Sequence, residues 1–308
     1  MSLTFSNKSN MKKILLLLTV LLGVITSCGW EDPLAGLAGP EHEVIKTNGF
    51  TVMSFNIFGA RGLKYEEDYQ ALAEVISQIL PDFVLIQEVD SCTVRQGELQ
   101  CNAAAKLAEI LTETTVHEWY YNYSVADYNL YSQGGAYGDA ILSRHEILWE
   151  KDYQMMYHEK HKNNKEREKR SVGIIKARID STDVYIGCTH FDHLGEEYSR
   201  IYQAEQLRDI VAEYKDEILI LGGDLNSLPD SKTMEIVETY LTPSYTSLDQ
   251  YTFPSAMELS QLKNQQPRMI DYVMKANHTD KVQCVLSNVY NNKASDHKAV
   301  YAKYKFVD

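Results

Sequence analysis

Six apolar runs of this 308-residue chain end at, or enclose, side chains that can bind a metal or carry a proton. Asn56 closes TVMSFN, Glu88 closes FVLIQE and His190 closes VYIGCTH. Asp224 and Asn226 close ILILGGDLN, Asp271 interrupts MIDYV, and Asp296 and His297 stand in ASDHKAV before the final apolar stretch. A lone Asp or Asn at a strand end is ordinarily a turn former. Buried without a partner it is costly, and six such places in one chain point to a shared pocket where loops gather at the ends of a sheet. The residue types suit one reaction. Glu88 and Asp296 supply hard oxygen ligands of the kind Mg²⁺ or Mn²⁺ prefers. Carboxylates converging without a cation would repel one another. An Asp beside a His can orient and charge the imidazole, and an Asn with a second His can donate hydrogen bonds to phosphate oxygens. Such a set fits in-line attack of water on phosphorus.

The elements that must carry these residues are legible in the hydrophobic pattern. Thr51–Phe58, Phe83–Gln87, Trp119–Val125, Asp139–Ser143, Gly173–Arg178, Asp183–His190 and Ile218–Leu221 read as strands, as do Met269–Val273, Val282–Val289 and Ala299–Lys305. Gly222 and Gly223 are expected to let the chain turn tightly and to let something approach closely. Tyr69–Leu80 puts Leu72, Val75, Ile76, Ile79 and Leu80 on one helical face before Pro81. Asn102 is expected to cap a helix running to about Glu113, and Ile201, Ala204, Leu207 and Val211 form a further helical stripe. Many strands with few βαβ spacings predict a mixed α/β layered domain over residues 50–308 rather than a doubly wound sheet. Tyr120, Tyr121, Tyr123, Tyr128, Tyr131 and Tyr137 either line a substrate cleft or decorate an edge strand. The basic stretch His158–Arg170 reads either as a solvated loop or as a surface for an anionic partner.

Lys12 and Lys13 precede an apolar run, Ile14–Ile25, and then Thr26, Ser27 and Cys28. That is a charged n-region, a short h-region and a small-residue processing site, and the run is short for a membrane span. The cysteine after small residues resembles a bacterial lipobox, which makes 1–27 a lipoprotein signal peptide and Cys28 a lipidated membrane anchor. An ordinary signal peptide shares the first two features. Residues 28–49 carry Glu31, Asp32 and several glycines and read as a flexible tether. The acids after Cys28 resemble a surface-export signal, so the expected location is the bacterial envelope, with the outer-membrane surface as the refinement. The formal charge is −13. Losing Lys8, Lys12 and Lys13 with the leader leaves about −16, which argues against a broad electrostatic grip on nucleic acid. No protein partner is inferable. Cys92 and Cys101 bracket a polar loop and could pair outside the cytoplasm, whereas Cys188 and Cys284 read as small buried hydrophobes.

Taken in order, SFN, QEV, YGDAILSR, THFDH, GGDLNS, IDY and SDH resemble the endonuclease/exonuclease/phosphatase superfamily over about Phe50–Lys305. The resemblance implies a four-layered α/β sandwich of two packed mixed β-sheets flanked by helices, with the site where strand ends meet. It also implies roles. Glu88 is the principal metal ligand, Asp296 acts with it, and Asn56 supports the metal or phosphate. Asp224 positions or deprotonates water, Asn226 holds phosphate or nucleophile, Asp271 pairs with His297, and His190 stabilises phosphate charge. The general base stays open between Asp224 and the Asp271–His297 pair. Two places depart from the pattern. Phe58 stands where some nucleases carry an acid. Asp139 replaces the Asn of YGNAILSR and reads as a further ligand, a substrate discriminator or a strand-start residue. Tyr137 and Arg170 are further substrate-binding candidates, with a surface role open for Arg170. The expected activity is metal-dependent hydrolysis of a small phosphodiester or phosphomonoester, such as a lipid headgroup, sugar phosphate or nucleotide. The alternatives are a nuclease, or a non-catalytic binding protein on the same fold.

Overall fold

The computed structural model describes residues 48–62, 68–93, 102–128, 135–244, 250–256 and 262–307. The leader, the tether up to residue 47 (Cys28 included), Cys101 and Tyr131 lie outside them, and the end of the expected tether, Gly49, is already part of the first strand. Among the described residues twelve strands form two six-stranded sheets. The first sheet holds β1 (Gly49–Asn56), β2 (Phe83–Ser91), β3 (Tyr120–Tyr128), β4 (Ala136–Ser143), β11 (Val282–Tyr290) and β12 (Ala299–Phe306), in the order β11-β12-β1-β2-β4-β3. The second holds β5 (Trp149–Met155), β6 (Arg170–Ile179), β7 (Thr182–His190), β8 (Leu219–Asp224), β9 (Leu241–Pro243) and β10 (Asp271–Ala276), in the order β5-β6-β7-β8-β10-β9. Each is mixed: β1 runs parallel to β2 and β7 to β8, while the other pairs are antiparallel.

Alternation along the strands makes the four layers. Val52, Phe83, Leu85 and Ile141 of the first sheet meet Ile175, Ile186, Ile220 and Val273 of the second in a shared core. The opposite faces are covered by helices. Met53, Phe55 and Ile86 pack on α1 (Tyr69–Ile79) and α2 (Ala103–Thr114), through Leu72, Ile76, Leu107 and Leu111. Ile174, Leu221 and Met274 pack on α3 (Tyr198–Ala212) and α4 (Lys232–Val237), through Leu207, Met234 and Val237. Each such side chain, fully buried, contributes roughly 1.5–3 kcal/mol relative to exposure. The helix starts follow capping chemistry. Asp68 accepts from Ala71 N and Asn102 accepts from Ala104 N and Ala105 N, and α1 ends on left-handed Leu80 before Pro81.

Several expectations need correction. No tight turn forms at Gly222 and Gly223; both lie inside β8. Their need is close approach. A Cβ on Gly222 would sit 2.3 Å from Tyr272 O, and one on Gly223, whose φ is 149°, 1.7 Å from Thr189 O. β1 stops at Asn56 rather than Phe58, because Phe58, Gly59 and Ala60 turn left-handed at φ 53°, 62° and 54°. β10 starts at Asp271 rather than Met269, since Ile270 N is taken by Thr252 Oγ1. Strands β5 and β9 and helix α4 went unread: β5 is mostly exposed and charged, and the other two are short. The basic stretch is no simple solvated loop, because His161, Glu168 and Arg170 are buried. Cys188 is buried as expected, but Cys284 sits half-buried at a register shift of β11. Among the described residues no helix is long and apolar enough to cross a membrane.

Gly223→Ala should therefore lower stability by about 3 kcal/mol or more, since both backbone conformation and space are lost. Urea unfolding checks this; a change below about 0.5 kcal/mol would mean that β8 and β7 can separate freely.

Candidate active site

Register alone sets one row of the site. His190 at the end of β7 is the cross-strand partner of Asp224 at the end of β8, and Asp224 is the partner of Asp271 at the start of β10. In the facing sheet Asn56 ends β1 opposite Gln87. Glu88 does not close its strand. β2 continues to Ser91, and Glu88 sits in a bulge between Ile86 and Val89 with φ 58°. A bulge re-aims a side chain, and this one brings Glu88 to the pocket. Ser295 Oγ donates to Asn56 O at 2.7 Å and so pins the Asp296–His297 loop, 239 residues on, to the end of β1.

These residues rim one cavity of about 300 Å³, lined by Arg61, Glu88, Tyr137, Arg170, His190, Asp224, Asn226, Asp296 and His297, with Phe58, Phe253 and Arg268 among its walls. Asn56, Asp139 and Asp271 stand behind that lining. Asn56 Nδ2 donates to Asp224 Oδ2 at 3.1 Å and to Glu88 Oε1 at 3.3 Å, while its Oδ1 accepts from Phe58 N. One amide thus holds a carboxylate from each sheet. Asp271 takes His297 Nδ1 at 2.9 Å, and His297 Nε2 lies 3.7 Å from Asp224 Oδ2. Burial works to lower the His297 pKa, but the Asp271 and Asp224 carboxylates outweigh it and hold it at about 10. Asp224 moves up, first by burial and then by the Asp271 charge, and Asp296 moves up by burial and the nearby Glu88.

Arg170 has no surface role. It is 1% exposed and bonds Glu168 at 2.6 Å, and its Nη1 lies 3.4 Å from Tyr137 OH and 3.2 Å from His190 Nδ1. A guanidinium only donates, so His190 Nδ1 must accept. Burial, followed by the Arg170 charge, keeps the His190 pKa well below its usual value, so the ring is neutral with its proton on Nε2. That atom faces Asp224 Oδ2 at 3.6 Å and the Asn226 amide at 3.0 Å. A neutral ring cannot accept at both nitrogens, and Asn226 Nδ2 already donates to Phe191 O at 3.1 Å. The His190 Nε2 proton is therefore left for Asp224 Oδ2 or for a ligand.

Asp139 lies beneath this group. Its Oδ2 accepts from Ser171 at 3.0 Å and its Oδ1, fully buried, has no partner. Burial raises its pKa to about 7, against the pull of Arg170. Of the tyrosines, Tyr137 reaches the cavity, while β3, which carries Tyr120, Tyr121, Tyr123 and Tyr128, is an edge strand. Glu168, two residues before Arg170 in the pattern GluXArg, is the residue that fixes it. The sequence does not single out Arg61 and Arg268, which stand over the rings of Phe58 and Phe253 at 4.1 and 4.8 Å.

The donor set fits a hard divalent cation. Glu88, Asp224 and Asp296 bring carboxylate oxygens to one cavity; in the neighbouring group of Asp224, Asp271 and His297, whose ligand atoms lie within 4.8 Å of one another, the charged His297 is a hydrogen-bond donor rather than a ligand. The family model described as Endonuclease/Exonuclease/phosphatase family matches residues 53–297. Among solved structures, an endonuclease/exonuclease/phosphatase from Beutenbergia cavernae is 20% identical, with TM-score 0.65, covering 84% of this chain and 72% of that one. A family protein from Leptotrichia buccalis is 17% identical, with TM-score 0.66, covering 83% and 100%. A mannosyl-6-phosphatase from Bacteroides thetaiotaomicron is 16% identical, with TM-score 0.59, covering 83% and 100%. At these identities the likeness is one of fold. No curated protein matches the sequence.

Two outcomes are expected. Nitrogen-15 NMR of the His190 ring near pH 7 should show Nδ1 bare and Nε2 protonated; the reverse tautomer would break the Arg170 argument. Asp139 has a folded pKa raised above its unfolded value, so its contribution is full below about pH 4 and is lost as pH rises through about 7. Asp139→Asn should accordingly raise the melting temperature of EDTA-treated protein more at pH 8 than at pH 5, read by calorimetry.

Proposed function

The chain belongs to the endonuclease/exonuclease/phosphatase family, whose members are usually divalent-metal-dependent hydrolases of phosphoester bonds, and we propose that it hydrolyses small phosphoesters at the bacterial envelope, tethered through Cys28. The observation that carries the reading is the single cavity of about 300 Å³ in which Glu88, His190, Asp224, Asn226, Asp296 and His297 meet Arg170. That volume suits a phosphoryl group with a compact leaving group such as a sugar or a lipid headgroup. Arg61 and Arg268 at its walls add positive charge for an anionic substrate in a chain of net charge −13.

Glu88 and Asp296, with Asn56 orienting Glu88, would hold Mg²⁺ or Mn²⁺. When bound, the cation supplies Lewis-acid stabilisation of phosphoryl oxygens. The other roles belong to the chain. His297, held charged between Asp271 and Asp224, donates to a phosphoryl oxygen and is a poor base near neutrality. Asp224 is then the better proton acceptor for attacking water, because its upward shift brings it nearer the working pH. His190 offers its Nε2 proton, and Asn226, anchored through Phe191 O, offers its amide oxygen to the attacking water. A long nucleic acid fits less well, because the charge is strongly negative and the cavity is small. The envelope location rests on Lys12, Lys13, Ile14–Ile25 and Cys28 in the sequence.

Hydrolysis of p-nitrophenyl phosphate and bis-p-nitrophenyl phosphate, with Mg²⁺, Mn²⁺ or EDTA, tests the proposal. Metal-dependent release should fall about 10³-fold or more in His297→Ala and Glu88→Ala. Equal rates in wild type and both variants would sink it.

A further inference from the structure

A second cavity, of about 640 Å³, lies between the segment entering the basic stretch and the first turns of α3, and it shares no lining residue with the site above. We propose that it binds an organic ammonium cation, a compact quaternary or alkylated amine. The inference stands apart from the phosphoesterase reading.

The lining chemistry is the first argument. Tyr157, Tyr198, Tyr202 and His158 supply rings, Met156 a polarisable thioether, and Glu159 and Glu205 carboxylates, of which Glu159 is paired with Lys162 at 2.8 Å. Among the described residues no lysine or arginine lines the cavity. Aromatic faces with nearby carboxylates favour a large, weakly hydrated cation. The ring faces here already draw cations from outside the lining: Lys160 Nζ stands 3.6 Å from the centroid of Tyr198, and Arg167 Cζ 5.1 Å from that of Tyr157. Tyr202 carries no such partner among the described residues, and Glu205 no ion pair.

Shape and rigidity are the second. The His158 ring is tilted 30° to Tyr198 and 83° to Tyr202, so the rings form walls rather than the flat platform on which a sugar stacks. The walls are clipped together. Gln206 Oε1 accepts from Met156 N at 3.0 Å and Gln206 Nε2 donates to Met156 O at 3.1 Å, while His158 N donates to Ser199 Oγ at 3.1 Å. A preformed cavity loses little in ordering itself around a ligand. Met156, Tyr198 and Tyr202 remain 38–39% exposed, so the cavity is open to a ligand from solvent.

The test is titration of the full chain with choline chloride by calorimetry, beside its uncharged isostere 3,3-dimethylbutan-1-ol and beside glucose. Choline should bind saturably, with the isostere and glucose about tenfold weaker or worse. Tyr202→Leu and Glu205→Gln should each weaken choline at least about fivefold, while Tyr202→Phe, which keeps the ring, should bind as wild type. Hydrolysis of p-nitrophenyl esters should be unchanged in all three, which separates this site from the first. No choline binding, equal binding of the isostere, preference for glucose, or indifference to Tyr202→Leu and Glu205→Gln would each overturn the proposal.

Discussion

His297 lies between two buried carboxylates, 2.9 Å from Asp271 and 3.7 Å from Asp224. At an effective dielectric near 20, a unit pair at such a distance is worth roughly 4 kcal/mol. Attraction on both sides exceeds the burial that would otherwise discharge the ring, and the imidazolium in turn makes two like charges tolerable on neighbouring strands. Asn56 extends the same solution across to the other sheet, with one amide shared between Glu88 and Asp224. Burial first, and neighbouring carboxylates after it, push Asp139, Asp224 and Asp296 upward, and a hard cation beside such carboxylates would favour their charged forms.

That balance explains the local backbone. Glu88 holds a left-handed φ in the middle of a strand, and Asn226 and Phe58 do so just beyond strand ends. Such conformations cost energy and persist where the surroundings over-determine them. Each aims a functional side chain or frees the segment that carries one. The rigid parts around them are ordinary: Val52, Leu85, Ile186 and Ile220 fill the space between the sheets, and Gly222 and Gly223 let β8 lie close to its neighbours. Sheet register sets the row His190, Asp224 and Asp271, while Asp296 and His297 come from a loop pinned to β1 by Ser295.

Arg170 gives the pocket its other character. Buried with Glu168, it fixes which His190 nitrogen carries the proton and brings positive charge to a cavity floored by acids. Arg61 and Arg268 repeat the theme at the walls, each over a phenylalanine ring. Acidic floor and basic walls together suit a phosphoester held between a cation and arginines, which neither half of the pocket would do alone.

Local pattern was enough to place much of this. Apolar runs that end in Asn56, His190 and Asp224, and the one that Asp271 interrupts, are visible because burial on both faces of a strand leaves an unbroken hydrophobic stretch, and a polar residue stands out against it. The alternation that makes four layers, the Asp68 and Asn102 caps and the order of the motifs are likewise properties of short segments. Tertiary structure decided what depends on distant partners. The bulge at Glu88, the burial of Arg170 by Glu168, the bridging of two sheets by Asn56 and the charge on His297 all arise from contacts across the chain. Asp271 and His297 are 26 residues apart, and Asn56 and Asp224 are 168. Residue types determine which charges are available; only the folded arrangement determines which of them share a low-dielectric space, and that sets their protonation and orientation.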